Sequence, residues 1–184
     1  MLLLFACGGR AEHNAQSGEE RPETACGPAA GAFLTGGGVG ALRIGRTVAE
    51  LASDCEILAD SIVPLWLEGL PQRVVFIPWG SDTLAAEVVN DRIWRLSVRT
   101  PRVRTADSVG VGTTLSELLT KPGVAGLSGE GALFVVAPSY CGLSFGLGAE
   151  PESMIGAEWT LSELASLSGS TPVRQVLVFG CPTE

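Results

Sequence analysis

Three segments of this 184-residue chain repeat one five-residue pattern: Thr47-Val48-Ala49-Glu50-Leu51, Thr114-Leu115-Ser116-Glu117-Leu118 and Thr160-Leu161-Ser162-Glu163-Leu164. Each reads Thr, apolar, small, Glu, Leu. The Thr hydroxyl can accept from the backbone N–H three residues on, while the Glu carboxylate reaches back to the Thr N–H. That reciprocal pair is the capping box that starts a helix. The Leu opens a buried stripe, and the Glu complements the positive helix N-terminus. Helix starts are therefore expected at three fixed points. The first two also share a Gly-flanked apolar entry, Gly40 to Arg46 and Ser108 to Thr113. This suggests duplication of a helix-containing unit, with two or three diverged copies (about 38–105 and 106–184). Their unequal spacing excludes a solenoid.

The chain between the helices alternates as sheet does. Arg73-Val74-Val75-Phe76-Ile77 reads as a strand closed by the turn-rich Pro78-Trp79-Gly80-Ser81-Asp82. Leu84 to Val89, Asn90-Asp91 and Ile93 to Arg99 read as a hairpin with a two-residue turn. In its second strand Trp94, Leu96 and Val98 share one face, and Arg95, Ser97 and Arg99 the other. Ala132 to Ala137, Gly142 to Leu147 and Val173 to Phe179 are further strands. The expected order is helix, three strands, helix, two strands, helix, strand. Hairpin-joined strands imply an antiparallel sheet with short capped helices on one face, an α+β fold.

Composition narrows the function. Twelve basic and 20 acidic residues leave a net charge of −8, which argues against a nucleic-acid partner. No segment approaches the roughly 18 uninterrupted apolar residues of a membrane span. Residues 8–30 are rich in Gly, Glu, Arg, Asn, Gln, Ser and Pro, and read as a flexible tether before a single domain at 31–184. The one His, His13, falls in that tether, so ordinary His-dependent catalysis is not expected.

Ahead of the tether stands Met1-Leu2-Leu3-Leu4-Phe5-Ala6-Cys7-Gly8. An apolar run ending in Ala-Cys-Gly resembles the lipobox of a bacterial lipoprotein, where cleavage precedes a Cys that then carries lipid. The resemblance implies that residues 1–7 are a signal-peptide remnant and that Cys7 is the membrane anchor. There is no basic n-region, and the apolar run is shorter than a signal core needs, as a start codon placed too far downstream would explain. Cys26, Cys55, Cys141 and Cys181 remain, an even number suited to two disulfides in an exported chain. Of three possible pairings, Cys141–Cys181 with Cys26–Cys55 is favoured, because Cys141 and Cys181 each end or follow an apolar strand-like run. With no C-x-x-C and no His nearby, neither zinc nor another metal or cofactor is expected.

The Gly-apolar-x-Ile-Gly-x-Thr-x-x-Glu-Leu entry at Gly40 to Leu51 resembles the repeat of the β-lactamase inhibitory protein. It is also similar to the small lipoprotein of the outer-membrane barrel-assembly machinery. Ile93 to Gly112 likewise resembles uncharacterised bacterial lipoproteins. The matched residues cover about a fifth of the chain. They imply short helices before an antiparallel sheet and carry over no binding residue.

Two chemical motifs fail on context. Gly142-Leu143-Ser144-Phe145-Gly146 fits the G-x-S-x-G nucleophile elbow, which needs a following helix and a later His. Leu147-Gly148-Ala149-Glu150-Pro151 follows instead. Gly36-Gly37-Gly38-Val39-Gly40-Ala41 loosely fits a dinucleotide loop, but the antiparallel context is wrong. No pair of carboxylates stands out as an acid/base couple, and no catalytic residue is assigned. The unusual feature is basic: Arg92, Arg95, Arg99, Arg102 and Arg104 cluster in an acidic protein. With Trp94 and Trp79 nearby, Arg95 and Arg99 are candidates to receive an acidic protein partner, Arg and Trp being enriched at interface hot spots. The competing reading is a solvated face with Arg balanced by Glu87 and Asp91. The expectation is a secreted or lipid-anchored, non-enzymatic envelope protein that binds another protein through its sheet. The alternatives are an accessory of outer-membrane assembly and a hydrolase.

Overall fold

The computed structural model describes residues 26–27, 32–64, 71–148 and 157–181. Cys7 and His13 lie outside them. The elements run β1 (Leu34–Thr35), β2 (Gly38–Val39), β3 (Leu42–Arg43), α1 (Val48–Asp54), β4 (Ala59–Pro64), β5 (Pro71–Trp79), β6 (Asp82–Val89) and β7 (Arg92–Val98). They continue with α2 (Leu115–Leu118), β8 (Ala125–Gly129), β9 (Ala132–Val136), a 3₁₀ turn (Pro138–Tyr140), β10 (Leu143–Gly146), β11 (Glu158–Trp159), α3 (Leu161–Ser166) and β12 (Gln175–Val178).

All three capping boxes form. Thr47, Thr114 and Thr160 accept from the N–H of Glu50, Glu117 and Glu163, and each Glu accepts from its Thr N–H at 2.7–2.8 Å. Those bonds hold each Glu carboxyl below its ordinary range. Alanine at any one of the three Thr is expected to cost about 1 kcal/mol in urea unfolding.

One nine-stranded antiparallel sheet, in the order β11-β8-β9-β10-β12-β7-β6-β5-β4, dominates the chain. The meander β4–β7 joins the C-terminal strands through β12, where Leu96 faces Val178 and Val98 faces Val176. Asn90 and Asp91 both take positive φ, 49° and 60°, as the expected two-residue hairpin turn requires. Strands β4 and β8 do not show in the sequence pattern, and neither do the two-residue β1, β2 and β11. β4 is an edge strand with mostly exposed side chains, and β8 is the Gly- and Ser-containing Ala125-Gly126-Leu127-Ser128-Gly129, so neither shows strong alternation.

The turn-rich cluster at Pro78 also needs correction, because β5 continues through Pro78 and Trp79, and the chain reverses at Gly80-Ser81. Pro78 is tolerated because β4 begins opposite Phe76. No neighbouring strand asks Pro78 for an N–H on that side.

The helices lie over one sheet face. Leu51, Leu115, Leu118 and Leu164 enter a main core with Ile77, Leu84, Leu96, Val135 and Phe145. The small sheet β1-β2-β3 contributes Leu34, Val39 and Leu42 to the same core. Of the glycines in the loose dinucleotide motif, Gly36, Gly37 and Gly40 lie in turns of this sheet and Gly38 lies in β2. A Cβ at Gly36 would lie 1.9 Å from the Cys141 carbonyl oxygen, so close packing accounts for that glycine.

Both favoured disulfides are present, Cys26–Cys55 and Cys141–Cys181, with Cα atoms 5.2 and 5.3 Å apart. They point to an oxidising, non-cytoplasmic compartment. Cys26 falls in the stretch expected as tether, yet it is fully buried in the core and bonded to α1 through Cys55.

Candidate functional site

The sheet face away from the helices carries most of the residues singled out in the sequence. Along β7, Arg95 and Ser97 point to this outer face, opposite Glu87 and Ala85 of β6. Trp94 departs from the expected alternation. Glu87 pairs with Arg95 but Val88 pairs with Ile93, which leaves Trp94 as the extra residue of a β-bulge. The bulge resets the side-chain period, so Ile93, Leu96 and Val98 all reach the core. Trp94 instead stands partly exposed beside Phe179, with ring centroids 5.9 Å apart.

Arg95 lies against both rings, its guanidinium carbon 5.0 Å from the Trp94 centroid and 5.7 Å from that of Phe179. Its Nε and Nη2 donate to Glu87 Oε1 at 2.7 and 2.6 Å, and its Nη1 donates to Glu130. Burial opposes the Arg95 charge, but the bonds to Glu130 and Glu87 outweigh it and raise the pKa. At Glu87 burial wins over Arg95, and the carboxyl is pushed up.

Contact with Glu130 reveals the shape of this face. Glu130 occupies the β8–β9 turn, with φ of 53° beside Gly131 at 72°. The strand registers place Leu96 level with Val178 and Leu143, and the β9–β10 register extends that line to Ala137. Glu130 lies seven residues back from there, roughly 24 Å along a flat ladder at about 3.4 Å per residue. Only a strongly curled sheet brings the turn to Arg95, so the outer face is concave. Ala132, Phe134 and Leu177 form a small second core inside the curl.

Two of the expected partner residues are placed otherwise than their sequence context suggested. Trp79 is 1% exposed and sits in the main core, because β5 continues past Pro78 and turns it inward with Ile77. It cannot meet a partner. Arg95 is also buried and committed to its two carboxylates, so it is no free receptor for an acidic group. Of the two acids expected to balance the arginines, Glu87 does hold Arg95, whereas Asp91 pairs with Arg73 of β5 at 2.9 Å. Arg99 is exposed and donates to Gln175 at 3.2 Å. Ser144 lies mid-strand in β10 opposite Leu177, not on a strand-to-helix elbow, and no His occurs among the described residues.

A second polar group was not legible as a site in the sequence. The chain's single Lys, Lys121, and its single Tyr, Tyr140, both donate to Asp107 Oδ2, at 2.8 and 2.5 Å. Thr105 donates to Oδ1 at 2.7 Å. These bonds hold the Asp107 carboxyl far below its ordinary range, and the same carboxylate raises Lys121. Asp107 and Lys121 line an open cleft of about 370 Å³ with Arg104, whose guanidinium donates to the carbonyls of Pro101, Ser108 and Val111. Every cation in the cleft is thus engaged internally, and the cluster ties the link between β7 and α2 to the 3₁₀ turn. The only sequence signal was the uniqueness of the two donors.

Asp107→Asn is expected to lower neutral-pH stability by about 1 kcal/mol, given the partial exposure of the carboxylate. A carboxyl depressed in the folded state stabilises above its unfolded pKa of about 3.9, and that contribution fades as pH falls toward the folded value. Urea titrations of the two proteins should therefore converge as the pH drops below about 4.

No family model and no curated protein matches the chain. Among solved structures it is similar to the uncharacterized protein yfeY from Escherichia coli. The TM-score is 0.59 at 17% identity, covering 80% of this chain and 99% of that one. At that identity the likeness shows the fold alone, a mostly antiparallel sheet with few short helices.

Proposed function

We propose that this is a secreted or lipid-anchored cell-envelope protein of non-enzymatic type, binding another protein through the concave outer face of its sheet. The observation that carries the reading is the Trp94–Phe179 pair. Two large aromatic side chains stand more than a third exposed on that face, and a β-bulge turns Trp94 away from the core. Aromatic side chains beside buried Arg are the composition of interface hot spots. The two disulfides support an exported location, and the Ala6-Cys7-Gly8 sequence supports lipidation at Cys7. The resemblance of Gly40 to Leu51 to a protein-inhibitor repeat supports binding over catalysis.

A photo-crosslinking residue placed at position 94 or 179 should capture a specific envelope protein. The same residue at Leu161, exposed on the helix side, should capture none. Equal capture at all three positions, or none, would reject the face. Capture of barrel-assembly components would identify the assembly accessory instead. The anchor has its own readout, since incorporation of labelled fatty acid should vanish in Cys7→Ala; label that persists would reject lipidation at that residue.

A further inference from the structure

We propose that the corner formed by Glu87, Arg95 and Glu130, walled by Trp94 and Phe179, docks a basic, arginine-bearing segment of the partner protein. This rests on the protein-binding reading above and adds the chemistry of what is bound.

The charge count comes first. Two carboxylates meet one guanidinium, so the corner is one positive charge short. Glu87 is enclosed, its side chain nine-tenths buried and its Oε1 taking both the Nε and Nη2 donors of Arg95, so the excess negative charge reaches the surface at the other carboxylate. Glu130 is the accessible member, its side chain 48% exposed on the tip of the β8–β9 turn.

The aromatic walls favour the same sign. Ring faces attract cations, and Trp and Phe within about 6 Å of a guanidinium are a cation-binding arrangement. Arg95 already uses both rings from within the protein, at 5.0 and 5.7 Å. Trp94 and Phe179 each remain more than a third exposed as residues, open to a second cation arriving from outside. The net charge of −8 adds long-range steering toward a basic partner. An acidic segment meets the opposite situation, because Arg95 is inaccessible and paired, and Glu130 would repel it. The same repulsion disfavours an anionic membrane surface at this corner.

Titration of the full-length, disulfide-intact chain with two peptides of equal length tests this, one alternating Gly and Arg, the other Gly and Glu. The Arg peptide should bind at least about tenfold more tightly than the Glu peptide at low salt. Glu130→Gln and Trp94→Ala should each weaken that binding about fivefold or more. Glu158→Gln, the same charge change on an exposed residue of β11, should leave it unaltered. If Glu158→Gln weakens binding as much as Glu130→Gln does, the attraction is diffuse and the proposal fails. If the Glu peptide binds preferentially and Trp94→Ala abolishes it, the binding face survives and the assigned charge is overturned. If neither peptide discriminates while crosslinking from position 94 still captures a partner, again only the charge assignment falls. Circular dichroism melts of each variant separate lost binding from lost folding.

Discussion

Arg95→Ala is expected to destabilise the domain by about 3–5 kcal/mol at neutral pH, the usual cost of removing one partner from a buried ion pair. The substitution strands Glu87, which burial already pushes toward its neutral form, and leaves Glu130 with nothing to hold the β8–β9 turn against β7. The loss should depend on pH in a defined direction. A carboxyl whose folded pKa is raised favours the fold once it is protonated, so the deficit of Arg95→Ala narrows as pH falls through that pKa and is widest above it. Urea unfolding at pH 4 and pH 7 provides the check. A loss independent of pH, or one under about 1 kcal/mol, would mean that Glu87 is not held charged by Arg95. Glu87→Gln with Arg95→Met should recover much of the stability, since replacing both members of a buried pair is often neutral.

Removing Cys141–Cys181 by alanine at both positions is expected to cost about 4 kcal/mol, from the chain entropy of a loop closed over 40 residues. The bond also ties the end of β12 to the start of β10, where Phe179 N–H donates to the Gly142 carbonyl at 2.9 Å. Its loss therefore frees one wall of the binding corner as well as the chain. Both of its cysteines are exposed, whereas Cys26 and Cys55 are buried, so a mild reductant should open Cys141–Cys181 first. Mass mapping of alkylated thiols at increasing reductant reads the order, and simultaneous loss of both bonds would contradict it.

Much of the local structure was legible because its causes are local. A capping box acts over three residues and the Asn90-Asp91 turn over four, so Thr47, Thr114, Thr160 and the β6–β7 hairpin could be read directly. The disulfide pairing followed from strand-like runs beside Cys141 and Cys181 that do end side by side. The misreadings share one origin. Pro78 ordinarily ends a strand, and here it does not, because β4 stops short of it. Trp94 was assigned by strict alternation, which a single inserted residue overturned. Cys26 was assigned by the composition around it, although its partner lies 29 residues away in sequence.

The sequence by itself determined where helices begin, where hairpins turn and that the sheet would be antiparallel, since each depends on residues within one turn of one another. Only the tertiary structure decided that β12 separates β7 from β10 and that the sheet curls until Glu130 reaches Arg95. It also decided that Trp79 is buried while Trp94 is not. Those outcomes depend on lateral strand order and sheet curvature, which join residues as far apart as 95 and 130 through intervening strands. No local pattern encodes that neighbourhood, so the arginine cluster could be noticed in the sequence, but the carboxylates that claim Arg95 could be completed only in the fold.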